Sequence, residues 1–165
     1  MYDAQRCLTL SCDRYIEHIS LKLGSNGPNS RPIRVPMRVL IADDHHIIRK
    51  SISSILHSRK DIRVCGEAVN GEEAVSKAQL LKPDLLILDI SLPDSNGLEV
   101  ATAIRAFLPK VPILLLSMYG GKQLSEEVQR RGFQGFISKS DAATMLLGAV
   151  DAIVNLKQSF YSYES

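Results

Sequence analysis

From residue 37 onward the chain alternates short, almost wholly apolar runs with stretches whose apolar residues recur at helical spacing, and it does so five times. Residues 38–42 read as a buried strand, and the segment after them places Ile48, Ile52, Ile55 and Leu56 on one helical face. Residues 62–69 form a second strand. Asn70 then caps a helix whose third residue is Glu73 and whose inner face carries Ala74, Val75, Ala78 and Leu81. Residues 85–88 are the third strand, bounded by Pro83 and by the turn Pro93, Asp94, Ser95, Asn96, Gly97, after which a helix turns Leu98, Ala101 and Ile104 inward. Residues 112–116 are the fourth strand, with Leu124 and Val128 on the next helix. Residues 133–137 are the fifth, and Asp141 starts a last helix with Met145, Leu146, Ala149, Val150 and Ile153 facing the core. Strands that are apolar on both faces and separated by helices need a helical layer on each side. The pattern therefore predicts an α/β fold, a doubly wound five-stranded parallel sheet with five helices.

The 165 residues amount to about one domain, with 45% hydrophobic and 23% charged residues, which excludes a wholly disordered, collagen-like or coiled-coil chain. The longest apolar runs, 85–88 and 113–116, fall far short of the roughly 18 residues that span a bilayer, so no membrane partner is expected. Arg14, Glu17, His18 and Lys22 interrupt every hydrophobic stretch near the start, which argues against a secretory signal. Three cysteines without a C-x-x-C pair give neither a disulfide framework nor a zinc site, and a cytoplasmic location follows. The net charge of +2 arises wholly before position 37, where five basic and three acidic residues lie; after it there are fifteen of each. That neutral remainder offers no clustered basic face for nucleic acid.

Residues 24–32, rich in Gly, Asn, Ser and Pro, read as a linker. Residues 15–23 ahead of it could form a short helix with Ile16, Ile19 and Leu23 on one face. The expected organisation is a mostly disordered extension and linker over 1–36, a folded domain over 37–157 and a tail over 158–165. Cys7 and Cys12 in the extension are read as incidental thiols.

In open parallel sheets ligands bind beyond the carboxyl ends of the strands. There the sequence places Asp43 and Asp44 after the first strand, Asp89 after the third, Ser117 after the fourth and Lys139 after the fifth. Taken singly, an Asp is a common helix cap or turn residue and a Lys a surface charge. Together, three carboxylates on one rim repel one another unless a cation sits among them, and hard oxygen ligands suit Mg²⁺. With Asp89 as nucleophile, a carboxylate oxygen can accept a phosphoryl group as an acyl phosphate. Lys139 would neutralise charge on that group and Ser117 would donate a hydrogen bond to it.

The runs V-L-I-A-D-D-H at 39–45, L-L-I-L-D-I-S-L-P at 85–93, Gly97, L-L-L-S-M-Y at 114–119 and G-F-I-S-K at 135–139 resemble the receiver domain of two-component response regulators, with the flavodoxin-like fold that this implies. Cys65 to Ala68 with Asn70 to Glu72, and Ser117 followed by Met118, are similar to the NarL/FixJ-type subfamily. The resemblance implies that Asp89 is the phosphoacceptor and that Asp43 and Asp44 hold Mg²⁺ together with the Ser91 backbone carbonyl. It further implies that Ser117 and Lys139 contact the phosphoryl group and that Phe136 is the switch aromatic. The implied partners are a sensor histidine kinase or phosphotransfer protein and a downstream protein, and a phosphorylation-dependent dimer stands among them.

Members of this subfamily usually carry a helix-turn-helix output domain after the receiver. The sequence ends at Ser165, so the expectation is a chain lacking that domain, with no specific DNA binding. Three alternatives compete with this reading. A haloacid-dehalogenase-type phosphatase has D-x-D after its first strand, whereas Asp43 and Asp44 are adjacent. A nucleotide-binding enzyme would need G-x-x-x-x-G-K-[ST] or G-x-G-x-x-G, and neither occurs. A pseudo-receiver that binds without being phosphorylated is the third, disfavoured because all five acceptor-site residues are present.

Overall fold

Five short segments become the strands β1 (Met37–Ala42), β2 (Ile62–Ala68), β3 (Leu85–Asp89), β4 (Ile113–Ser117) and β5 (Gly135–Ser138), with β1, β3 and β4 the most uniformly apolar. They pair in parallel in the order β2-β1-β3-β4-β5. Between them lie α1 (His46–His57), α2 (Gly71–Leu81), α3 (Gly97–Phe107) and α4 (Lys122–Arg130), and α5 (Ala142–Tyr161) follows β5. The computed structural model describes residues 35–119, 121–133 and 135–161, with side chains as far as Ile153. The expectations for residues 1–34, including the short helix, the linker and the two thiols, lie outside the described residues, as do residues 162–165.

The period of two along each strand divides the core. Val39, Ile41, Leu85, Ile87, Leu114 and Leu116 face one side, where Ile52 and Leu56 of α1 and Leu146, Val150 and Ile153 of α5 cover them. Leu40, Ala42, Leu86, Leu88 and Leu115 face the other, beneath Ala74 and Ala78 of α2, Leu98, Ala101 and Ile104 of α3 and Val128 of α4. The doubly wound sheet expected from the sequence is therefore the fold. Its strand order reverses between β1 and β3, which opens a crevice at their carboxyl ends.

Local chemistry explains where the elements begin and end. The Asn70 carboxamide oxygen accepts the Glu73 N–H at 2.8 Å, and the Glu73 carboxylate accepts the N–H of Val69 at 3.3 Å, so the anticipated cap forms, reaching back one residue further than a standard capping box. The fifth strand starts at Gly135 rather than at Phe133. The Phe133 N–H bonds to the Val128 carbonyl and the Gly132 N–H to that of Gln129, with Gly132 at φ +69°, so these residues close α4 instead of extending the sheet. The fourth strand starts at Ile113, although the Pro112 carbonyl already accepts the Leu86 N–H. Met145 is 56% exposed, against the expectation that it faces the core. The buried stripe of α5 runs instead through Ala142, Leu146, Val150 and Ile153. Helix α5 continues to Tyr161, four residues past the expected domain end at 157. No helix among the described residues is long and apolar enough to cross a membrane.

Candidate functional site at the carboxyl ends of the strands

β1 and β3 pair in register from Val39 with Leu85 to Ala42 with Leu88, so the residues next in sequence, Asp43 and Asp89, leave the sheet side by side. Both side chains are completely buried. Lys139, the first residue after β5, reaches between them from the far side of β4. Its ammonium lies 2.7 Å from Asp89 Oδ2, to which it donates a hydrogen bond, and 2.8 Å from Asp43 Oδ2. The lysine backbone is fixed by its N–H, which donates to the Ser117 carbonyl at 2.8 Å. The stem of Lys139 is buried too, its side chain only 4% exposed.

Burial pushes the Asp89 carboxyl above the usual carboxylate range, and the Lys139 ammonium and the Ser91 N–H, 3.1 Å from Oδ1, work against that rise. For Lys139, burial acts to lower the ammonium, but its close pairing with Asp43 and Asp89 outweighs this and the group is raised. Lys139 is thus held as a cation between two anions.

Of the remaining residues expected at the site, Asp44, Ser91 and Ser117 lie on this rim, and Phe136 lies within β5. Asp44 is more exposed, and its Oδ1 lies 2.6 Å from His45 Nδ1. Asp43 Oδ1 accepts the His45 N–H at 2.8 Å, so Asp43 ties down the loop before α1 instead of capping the helix through its second or third N–H. Ser91 follows Asp89 by two residues, with its N–H turned to the carboxylate. The Ser117 hydroxyl engages its own loop: it donates to the Tyr119 carbonyl at 2.6 Å and accepts the Tyr119 N–H at 3.2 Å. Phe136 pairs with Leu115 across β5 and β4 and is half-buried. The loop between β3 and α3 is drawn tight by Gly97, whose N–H donates to the Ile90 carbonyl at 2.8 Å. A Cβ there would stand 2.1 Å from the Asp89 carbonyl oxygen, so only glycine fits against the Asp89 backbone.

Oxygen atoms of Asp43, Asp44 and Asp89 and a ring nitrogen of His45 lie within 4.8 Å of one another. Asp43 Oδ2 is buried and, although paired in charge with Lys139, lies off the line of a hydrogen bond from it. A buried carboxylate oxygen with no hydrogen bond, in a set of hard oxygen donors, fits a small divalent cation such as Mg²⁺.

Two contributors escaped sequence reasoning. His45 stands beside the acidic pair in the D-D-H run, a position whose spacing could have drawn notice. Arg49 lies on the predicted α1 helix, but it bonds to the Asp43 and Asp44 carbonyls just after β1 and to Glu67 of β2, and no local signal marks it.

A match to the response regulator receiver domain spans residues 39–151. The response regulator protein VraR of Staphylococcus aureus is 36% identical over 114 residues, which is 69% of this chain and 54% of VraR. The chain spans about half the length of the curated relatives it matches. Among solved structures, a LuxR-family two-component response regulator from Aurantimonas sp. SI85-9A1 superposes with TM-score 0.69 at 28% identity, covering 73% of this chain and 86% of that one. CheY of Borrelia burgdorferi, in a complex with CheX, BeF3 and Mg²⁺, superposes with TM-score 0.68 at 28% identity, covering 73% and 90%.

Proposed function

Because the chain belongs to the response regulator receiver family, we propose that it is a phosphoacceptor module of a two-component phosphorelay, phosphorylated on Asp89. The observation that carries this reading is the completely buried Asp89 carboxylate, hydrogen-bonded to an almost fully buried Lys139 and flanked by Asp43 at the switch point of the sheet. One carboxylate oxygen of Asp89 attacks the phosphorus of a phosphohistidine on a sensor kinase or phosphotransfer protein. The phosphorus–nitrogen bond breaks as the acyl phosphate forms, and the imidazole leaves with its electron pair and is protonated.

Lys139 neutralises charge on the incoming phosphoryl group, and Ser117 turns its hydroxyl from Tyr119 toward it. Asp43, Asp44, Asp89 and the Ser91 carbonyl would hold Mg²⁺, which supplies positive charge to the phosphoryl oxygens when bound. Nothing in this scheme turns over a separate substrate, so the chain acts as a signalling switch. The added charge of roughly −1.5 to −2 draws donors toward Asp89. Rotation of Phe136 follows, and the face of α4, β5 and α5 changes for a downstream protein or a second copy of the chain. The proposed folded unit is residues 37–157, with the last turn of α5 running beyond it to Tyr161.

Incubation with a small phosphodonor and Mg²⁺, followed by intact mass, tests the reading. The wild-type chain gains one phosphoryl group, and both Asp89→Asn and excess chelator abolish the gain. Equal labelling of Asp89→Asn would refute the assignment, and an unlabelled wild-type chain would favour a pseudo-receiver.

A further inference from the structure

Arg49 is a buried charge with no part in the chemistry above. It is only 7% exposed, on a helix whose neighbouring buried residues are Ile52 and Leu56. Its Nη1 donates to the Asp43 carbonyl at 2.7 Å and to the Asp44 carbonyl at 3.1 Å, and its Nε donates to Glu67 Oε2 at 3.1 Å. Glu67 lies at the end of β2, where Lys77 of α2 donates to its carbonyl at 2.5 Å. One guanidinium thus joins α1 to the ends of β1 and β2.

We infer that Arg49 is a positioning residue for the metal site, aiming the Asp43 and Asp44 carboxylates by holding their backbone carbonyls. A single nitrogen shared by the carbonyls of two consecutive residues fixes both peptide planes. It thereby fixes ψ at Asp43 and Asp44 and, with it, the direction of each Cα–Cβ bond. The Asp43 side chain is secured a second time by the His45 N–H, while Asp44 is partly exposed. For Asp44 the carbonyl contact is therefore the principal backbone constraint. The role is geometric rather than electrostatic, since Glu67 balances the guanidinium charge. A lysine could not reproduce the set, because its one nitrogen cannot hold both carbonyls in the orientation that the guanidinium plane fixes while a second, coplanar nitrogen engages Glu67.

The inference rests on the metal-dependent reading above and is tested by a binding measurement. Mn²⁺ serves as the probe, titrated into the full chain and followed by electron paramagnetic resonance, with thermal unfolding recorded for each variant. Arg49→Met and Arg49→Lys should each weaken Mn²⁺ binding roughly 10- to 100-fold, the range seen when groups that orient metal ligands are removed. Glu67→Gln, which leaves both carbonyl contacts in place, should weaken it in the same direction by less. Saturating Mn²⁺ should restore Asp89 labelling in all three, a recovery that general loss of structure would not allow. Arg105→Met, which removes a half-buried arginine from α3 where it bonds to the Arg131 and Gly132 carbonyls, should leave Mn²⁺ affinity unchanged. Full affinity in Arg49→Lys, or an equal loss in Arg105→Met, would overturn the positioning role. Wild-type protein that takes no Mn²⁺ would overturn the functional reading and this inference with it. Wild-type binding matched by Arg49→Met would overturn the inference alone.

Discussion

The two ends of the sheet use the same residue types to opposite effect. At the amino ends of the strands Arg59 pairs with Asp61 at 2.7 Å and with Asp151 at 2.8 Å, all three partly exposed, and Asp84 accepts the Arg38 N–H at 2.9 Å. At the carboxyl ends Lys139 pairs with Asp43 and Asp89 at nearly the same distances, but in full burial. Water screens the first set, so each pair contributes about 0–1 kcal/mol. The second set is shut off from water, and its charges depend on one another and on the His45 and Ser91 N–H groups. What separates the two sets of ion pairs here is solvent access, not contact distance.

The sharpest break of that comparison removes one cation from each end. Lys139→Met leaves two buried carboxylates facing each other and should cost about 3–5 kcal/mol at neutral pH. Arg59→Met, at the exposed end, should cost no more than about 1 kcal/mol. Chemical denaturation of both variants measures the difference, and equal losses would mean that the carboxyl rim is better hydrated than its burial implies.

A pair of glycines extends the contrast to the backbone. Gly97→Ala forces a Cβ against the Asp89 carbonyl oxygen and should destabilise by about 1–3 kcal/mol, the range for overpacking. Gly148→Ala on α5 meets nothing within 4 Å and should stabilise by about 0.5–1 kcal/mol, as a helix-interior glycine replaced by alanine does. Opposite signs in thermal unfolding are expected, and a neutral Gly97→Ala would show that the loop after β3 can yield.

The smallest effect concerns a carboxylate next to the site. Asp94 accepts the Gly71 N–H at 2.8 Å and the Glu72 N–H at 3.1 Å, capping α2 from the β3–α3 loop, and these bonds hold its carboxyl below the usual carboxylate range. Its contribution to stability is therefore complete above the unfolded carboxylate value of about 3.9 and disappears as pH falls through the depressed folded value. The unfolding midpoints of the wild type and Asp94→Ala should differ by a constant amount from pH 7 to pH 5 and converge in strong acid. A difference that widens on acidification would have the wrong sign.

Much of this arrangement is legible in the sequence because it is local. Strand runs, the Asn70 cap and the placement of Asp43, Asp44, Asp89, Ser117 and Lys139 on one rim follow from periodicity and from the rule that parallel strands share an end. What escapes is set by packing at long range. Hydropathy says that Met145 can be buried, not that the stripe of α5 passes through the smaller Ala142. Arg49 looks like a surface residue until β2 supplies Glu67, eighteen positions away. Asp94 reads as a turn residue, and only the packing of α2 against the β3–α3 loop makes it a cap for another helix. The engagement of the Ser117 hydroxyl with Tyr119 depends on a loop geometry that no residue pattern encodes.

Reductive trapping of the acyl phosphate tests most directly whether the buried carboxylate is the acceptor. The chain is treated with a phosphodonor and Mg²⁺, reduced with borohydride and mapped by peptide mass spectrometry. The converted residue should be Asp89 and no other, with none found in chelator. Conversion at Asp43, at Asp44 or at an exposed carboxylate such as Asp84, with Asp89 unchanged, would contradict it.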